Sequence, residues 1–254
     1  MDYQEKKKSV ANMFSSESEI RFYKEQARYG LFPQEKILFN KYLAVRGTVL
    51  DIGCGAGREA IALAKQGHKV TAIDVSDKMI TESKKLAAKT EMEIEFMTGD
   101  IELLPLRPNS FDYAVMLAQM IEHIPSRKNR IGLLKKIHTC LKPEGVLIFT
   151  THNRYRNFLF WGYWHMTWLS DFLKGTKSEL GDTLLAKTNP GVKQNKQKMF
   201  FHVYSIKEAL ADIEASSFQL IDVKSDKELV ADKNTVIKNV LHYFYICSKN
   251  SRTK

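Results

Sequence analysis

Three cysteines in 254 residues, Cys54, Cys140 and Cys247, are too few and too scattered to build a covalent framework. Their number is odd and their spacing is not that of metal ligands, which argues against a disulfide scaffold or a zinc site and for a reducing compartment. No apolar run approaches the roughly 20 residues that a membrane-spanning helix needs. The opening segment "MDYQEKKKSVANMFSSESEI" lacks the apolar stretch of a secretory leader. The expectation is a cytoplasmic chain without stable membrane insertion. Internal repeats and low-complexity tracts are missing. Tryptophan is missing everywhere except residues 158–169, "FLFWGYWHMTWL", which hold all three.

What is present is the composition of a folded globular protein, 44% apolar and 27% charged, with a net charge of +10. That excess of positive charge suits either an anionic partner such as RNA or a well-solvated surface. Residues 1–20 read as a polar, frayed segment. Two helices follow from Glu19 to about Leu43, broken near Gly30 and Pro33. Buried-strand runs then alternate with helical stretches: "TVLDIG" (48–53), "KVTAIDVS" (69–76), "EIEFMTG" (93–99), "SFDYAVMLA" (110–118) and "VLIFTTHN" (146–153). Ser76 and Ser126 stand where helices open, and "KPEG" (142–145) forms a turn. Such alternation predicts parallel βαβ units in an α/β, doubly wound, mostly parallel seven-stranded sheet. The rhythm stops at Asn153, resumes with a capping box at Ser205, and closes with strands at 218–223 and 242–249. This divides the chain into an N-terminal helical cap (1–45) and a main domain (46–254), with an aromatic and basic insert at 154–204.

"VLDIGCGAGRE" occupies the first strand–helix turn, where doubly wound sheets bind ligands. A dinucleotide fingerprint would need glycine where Arg58 stands. Asp51 beside the loop is a poor neighbour for a pyrophosphate but a good one for a cationic ligand end. S-adenosylmethionine (SAM), with its ammonium and sulfonium, fits that electrostatic pattern. Asp74, at the end of the next strand, is placed to accept hydrogen bonds from two ribose hydroxyls. Asp100 in "TGDIELLPL" is placed to accept from an adenine amino group, with Ile101 against the ring.

With these residues in family order, and with "EHIP" and "LKPEGVLIF" following them, the chain resembles the class I (Rossmann-like) SAM-dependent methyltransferases over roughly 47–153. The resemblance implies a methyltransferase that uses SAM, yields S-adenosylhomocysteine and requires no metal. It implies cofactor contacts from Asp51, Gly53, Gly55, Gly57, Arg58, Asp74, Val75, Asp100, Ile101 and Ala118.

Methyl transfer to a hydroxyl or ring nitrogen can need a general base. His123 and His152 follow the fourth and fifth strands, where a base would stand. His123 could equally buttress the cofactor, and His152 could bond to the insert. His202 is expected to order the loop before the helix at Ser205. Insertions after the fifth strand sit above the methyl group in this family, so Trp161, Tyr163, Trp164, His165 and Trp168 are candidate substrate contacts. Packing against the sheet, or contact with a bilayer surface, would account for the same aromatic stripe. The expected partner is a small organic acceptor, with RNA as the alternative. A SAM-binding protein without catalysis is a third reading, and the chain reads as a monomer or dimer.

Overall fold

The computed structural model describes residues 1–175, 178–186, 198–230 and 241–250. Seven strands form one sheet: β1 (Thr48–Ile52), β2 (Lys69–Asp74), β3 (Ile94–Thr98), β4 (Phe111–Met116), β5 (Leu141–His152), β8 (Phe218–Ser225) and β9 (His242–Lys249). Their order is β3-β2-β1-β4-β5-β9-β8. The first five pair in parallel, and β9 runs antiparallel to both β5 and β8. Strand order reverses between β1 and β4, so the loops leaving these two strands diverge and open a crevice.

Helices α4 (Arg58–Lys65), α5 (Asp77–Ala88), α6 (Arg127–Cys140) and α8 (Ile206–Ala215) flank the sheet. Ser76 caps α5, its hydroxyl accepting from the Met79 amide at 3.4 Å. The core has two faces. One gathers Leu50, Ile52, Met116, Leu134, Ile137 and Phe149, and the other Val49, Leu63, Val115, Ile148 and Ile246. Each such fully buried side chain contributes about 1.5–3 kcal/mol relative to exposure.

The structure differs from the sequence expectation at four places, one being "KPEG" (142–145), which lies within β5 at an irregularity in its pairing with β4 rather than in a turn before it. Residues expected to fray form α1 (Tyr3–Phe14), which opens with a capping box between Asp2 and Glu5. Its Val10 and Met13 pack on Met199, Phe200 and Phe201, giving a polar sequence a narrow apolar anchor. The two anticipated N-terminal helices are α2 (Glu17–Tyr29) and α3 (Pro33–Tyr42). The insert holds α7 (Phe158–Leu173) and an antiparallel hairpin of β6 (Asp182–Ala186) and β7 (Lys198–His202). At Ser205 only half of the capping box forms: its hydroxyl accepts from the Glu208 amide at 3.2 Å. The Glu208 carboxylate is drawn instead to Arg154 and His202.

Candidate active site

The end of β1 turns on Gly53, Gly55 and Gly57, all with positive φ. Gly57, at φ +85°, opens α4 in a conformation that a β-carbon would strain. At Gly53 a Cβ would also lie 2.6 Å from Met120 Cγ. The loop is stitched to β2, whose Ile73 carbonyl accepts from the Gly53 and Cys54 amides at 2.8 and 3.0 Å.

Asp74 ends β2 facing this loop. Its Oδ2 accepts from the Gly55 amide at 2.9 Å and its Oδ1 from the Ser76 amide at 2.8 Å. Burial raises its carboxyl above the usual range, against the pull of those two amides. Asp100 and the buried Ile101 follow β3. After β4, Ala118 and Gln119 both take left-handed backbone conformations without being glycine. Two adjacent residues of this kind mark a strained, over-determined loop. Gly53, Gly55, Asp74, Val75, Asp100, Ile101 and Ala118 thus line one cleft of about 850 Å³.

The lid over the cleft was not legible in the sequence. Lys7, Val10, Ala11 and Phe14 of α1 and Tyr23 of α2 line its outer side. Lys7 is ion-paired to both Asp100 and Glu102.

Three expected contacts sit differently: Gly57 does not line the cleft but turns the chain into α4 against Ser83, and Asp51 and Arg58 are held beneath and beside the loop. Asp51 is 2% exposed and does not line the cleft, because it lies beneath the glycine loop rather than on it. Burial, then the nearby Glu59, pushes its carboxyl well up. Its Oδ2 has no hydrogen-bond partner among the described residues. Arg58 is buried between Glu35 (2.5 and 2.8 Å) and Glu59, so it ties α3 to the loop rather than entering the main cleft.

These residues fit SAM. A backbone-held carboxylate able to accept from hydroxyl groups stands beside apolar walls of Ile73, Met79 and Ile101 able to take a flat ring. The orphaned Asp51 oxygen suits a cationic group or a bridging water.

A second cavity adjoins the first, since Tyr23, Ala118 and His123 line both. His123 stands edge-on to Phe14 and Phe201, each with ring centroids 5.0 Å away. Deeper in the second cavity lies His152, whose Nδ1 is 2.6 Å from Glu122 Oε2. Glu122 is fully buried and also accepts from the His152 amide at 2.9 Å and the Tyr204 amide at 3.2 Å. Opposite stands His242, with Nδ1 3.5 Å from Asp226 Oδ2. Burial and the neighbouring His152 push His242 down to about 4. Sequence reasoning missed His242, because only the antiparallel β5–β9 register sets it against His152.

The tryptophan stripe does not reach this chemistry. Trp161 and Trp168 are exposed, and His165 Nδ1 bonds to the Trp161 carbonyl one turn back at 2.8 Å. None of the three lines either cavity. Only Tyr163 and the buried Trp164 border a groove leading inward. The helix projects from the domain because a single residue, Trp164, is buried along its length.

His202 does order the loop before α8. It is fully buried, with Nδ1 2.7 Å from Asp182 and Nε2 2.8 Å from Glu208. Ligand atoms of Glu179, Asp182 and His202 lie within 4.8 Å of one another, close enough for a metal. However, Arg130 and Arg154 stand 3.2 and 3.3 Å from Nε2 and already supply the positive charge.

The sheet order, the glycine loop and the acids ending β2 and β3 define the class I methyltransferase fold. Residues 49–145 match the family model described as "Methyltransferase domain". Over these residues the chain carries a methyltransferase domain similar to those of the class I SAM-dependent methyltransferases, and its cleft fits SAM as cofactor. It is 36% identical over 106 residues to the ubiquinone biosynthesis O-methyltransferase of Coxiella burnetii, covering 42% of this chain and 44% of the relative. A putative methyltransferase of Bacillus subtilis is 29% identical over 114 residues, covering 45% of this chain and 46% of the relative. The chain thus spans less than half the length of these curated relatives. A SAM-dependent methyltransferase structure from Methanosarcina mazei superposes with a TM-score of 0.67 at 26% identity, covering 87% of this chain and 99% of that one. The fold is shared with the 1,6-didemethyltoxoflavin-N1-methyltransferase of Burkholderia thailandensis, at a TM-score of 0.66 and 18% identity over 99% and 92% of the two chains. That structure holds S-adenosylhomocysteine. Among the described residues no helix is long and apolar enough to cross a membrane.

Proposed function

We propose that this protein transfers a methyl group from SAM to a small organic acceptor, at oxygen or nitrogen, with a hydroxyl the favoured acceptor group. The observation that carries the reading is His152, held by the buried Glu122 in a cavity that shares a wall with the cofactor cleft. With its Nδ1–H donated to Glu122, the ring keeps a lone pair on Nε2 to take a hydroxyl proton. Glu122 thus fixes the tautomer and the orientation of the ring. Phe201 and His242 bound the space beside His152, and His123 with Tyr23 bounds its junction with the cleft. Bound SAM supplies a methyl group activated by its sulfonium. The matched relative named an O-methyltransferase is consistent with oxygen. RNA as acceptor has only the net charge of +10 behind it.

The test is transfer of labelled methyl to a panel of phenols, aliphatic alcohols, N-heterocycles and tRNA. His152→Gln should lower turnover of a hydroxyl acceptor by about 10²–10⁴-fold while leaving SAM affinity unchanged. SAM binding without S-adenosylhomocysteine formation on any class would leave a non-catalytic binding protein. Methylation confined to tRNA would move the assignment to RNA.

A further inference from the structure

Helix α7 exposes far more apolar surface than a globular protein leaves on an ordinary helix. Phe158, Leu159, Met166 and Leu173 are each more than 70% exposed, with Trp161 and Phe172 beside them. One acid, Asp171, lies within its 16 residues, and it is bonded to Ser178. Exposed cations stand at both ends, Arg156 stacked 3.8 Å over Phe160 and Lys174 just beyond the last turn. Sixteen residues rise about 24 Å, short of a bilayer core. Tryptophans among aliphatic residues with flanking bases are the composition of a helix lying in a membrane interface.

A second observation connects this helix to the site. Between α7 and the β6–β7 hairpin runs a groove of about 810 Å³, bordered by Arg156, Phe160, Tyr163, Trp164 and Thr183. Its inner end is formed by His152, Phe201 and Leu241, which also line the second cavity. The groove therefore runs from the exposed helix to the histidine pair. Trp164, 6% exposed on the wall of that groove, has an indole N–H with no hydrogen-bond partner among the described residues. A buried donor without a partner is unfavourable, and a polar ligand group in the groove would satisfy it.

We propose that α7 seats the protein reversibly on an anionic lipid surface, and that the groove takes the chain of an amphiphilic acceptor whose polar head reaches His152. The acceptor route rests on the function proposed above, and the docking does not. The net charge of +10 complements an anionic surface, and a bilayer interface covers exposed apolar side chains along a helix without needing a shaped partner.

Because every tryptophan lies in α7, fluorescence excited selectively at tryptophan reports this helix alone. Vesicles of phosphatidylglycerol should shift the emission to the blue, and lipids brominated along the acyl chain should quench it. Co-sedimentation should be at least tenfold stronger than with phosphatidylcholine and should weaken with salt. Leu159→Glu combined with Met166→Glu should abolish it with SAM binding intact, both residues being solvent-exposed. No binding, or equal binding to neutral vesicles, overturns the docking. So does a dimer by light scattering that this double variant splits, if vesicles are not bound. For the groove, the same double variant carrying Trp161→Phe and Trp168→Phe leaves Trp164 as the only tryptophan. Monomeric 12-bromododecanol should quench it saturably, and Thr183→Phe should remove the effect. Unsaturable quenching, or quenching indifferent to Thr183→Phe, overturns the groove. Neither measurement involves methyl transfer, so each outcome is separate from the fate of the enzymatic reading.

Discussion

His152 and His242 stand directly opposite one another across the β5–β9 ladder, with ring centroids 4.9 Å apart. Each has its own carboxylate, Glu122 for one and Asp226 for the other. Two imidazoles this close repel one another when both are charged, which, after burial, is what pushes His242 down.

The pair makes stability depend on pH. His242 is pushed down to about 4 from its ordinary 6.5, so the unfolded chain binds the proton more tightly. Its contribution is therefore intact above about 6.5 and is lost as pH falls from there to about 4. The expected loss is about 2 kcal/mol, discounted for partial solvent screening. Urea midpoints at pH 7.5 and 4.5 should diverge in the native protein and converge in His242→Gln. Glu208, held down at about 2 by His202 and the two arginines despite its burial, adds a separate loss below its ordinary 4.5. An unchanged acid slope in the variant would remove His242 as the cause.

Asp74→Ala should weaken SAM binding at least tenfold, about 1.4 kcal/mol, by calorimetry. The side chain also accepts from Gly55 and Ser76 and so helps to shape the glycine loop. Asp74→Asn separates the two roles, since its amide oxygen retains one acceptor. It should fall between native and alanine variants, and equal affinity in all three would refute the ribose assignment.

What was legible in the sequence was what local physics encodes. Parallel strands buried on both faces leave apolar runs, and the turn after β1 leaves its glycines, so the sheet and the cofactor acids could be read directly. The lid could not. Its anchor is two apolar side chains, Val10 and Met13, on a helix that also carries three consecutive lysines. His242 was hidden because nothing within "HYFYICSK" tells which strand it will pair with. The tryptophans misled in the other direction: their spacing is that of a packed helix face, yet only Trp164 is buried.

Lys7 ties the lid to the acid expected to read adenine. Its ammonium is ion-paired to Asp100 and sits 2.5 Å from Glu102, whose other contact is the Tyr3 hydroxyl at 2.8 Å. Those carboxylates hold Lys7 above its ordinary value despite its partial burial. Lys7→Gln removes the charge and keeps a donor. Stopped-flow displacement should then show SAM leaving severalfold faster, with helix content by circular dichroism unchanged. An unaltered off-rate would mean that α1 is held by its apolar contacts alone.

Arg130 is where the insert is fastened to the sheet domain. It is fully buried on α6 and meets the Tyr204 hydroxyl at 2.9 Å, Glu179 at 2.6 Å, Glu208 at 3.2 Å and His202 at 3.2 Å. The hairpin joins the same network through Asp182, which pairs with His202 and, at 3.4 Å, with Lys6 of α1. Removing the central cation leaves the half-exposed Glu179 and the partly buried Glu208 with one charge partner fewer, although Glu208 keeps Arg154 and His202, a change that costs about 1–3 kcal/mol. Arg130→Met keeps much of the side-chain volume, so the loss would be electrostatic rather than a cavity. The urea midpoint should drop accordingly. By comparison, Arg28→Met, which breaks the exposed pair with Glu25, should change stability by no more than about 0.5 kcal/mol. Similar small effects in both variants would show that the network is solvated in solution and does not hold the insert in place.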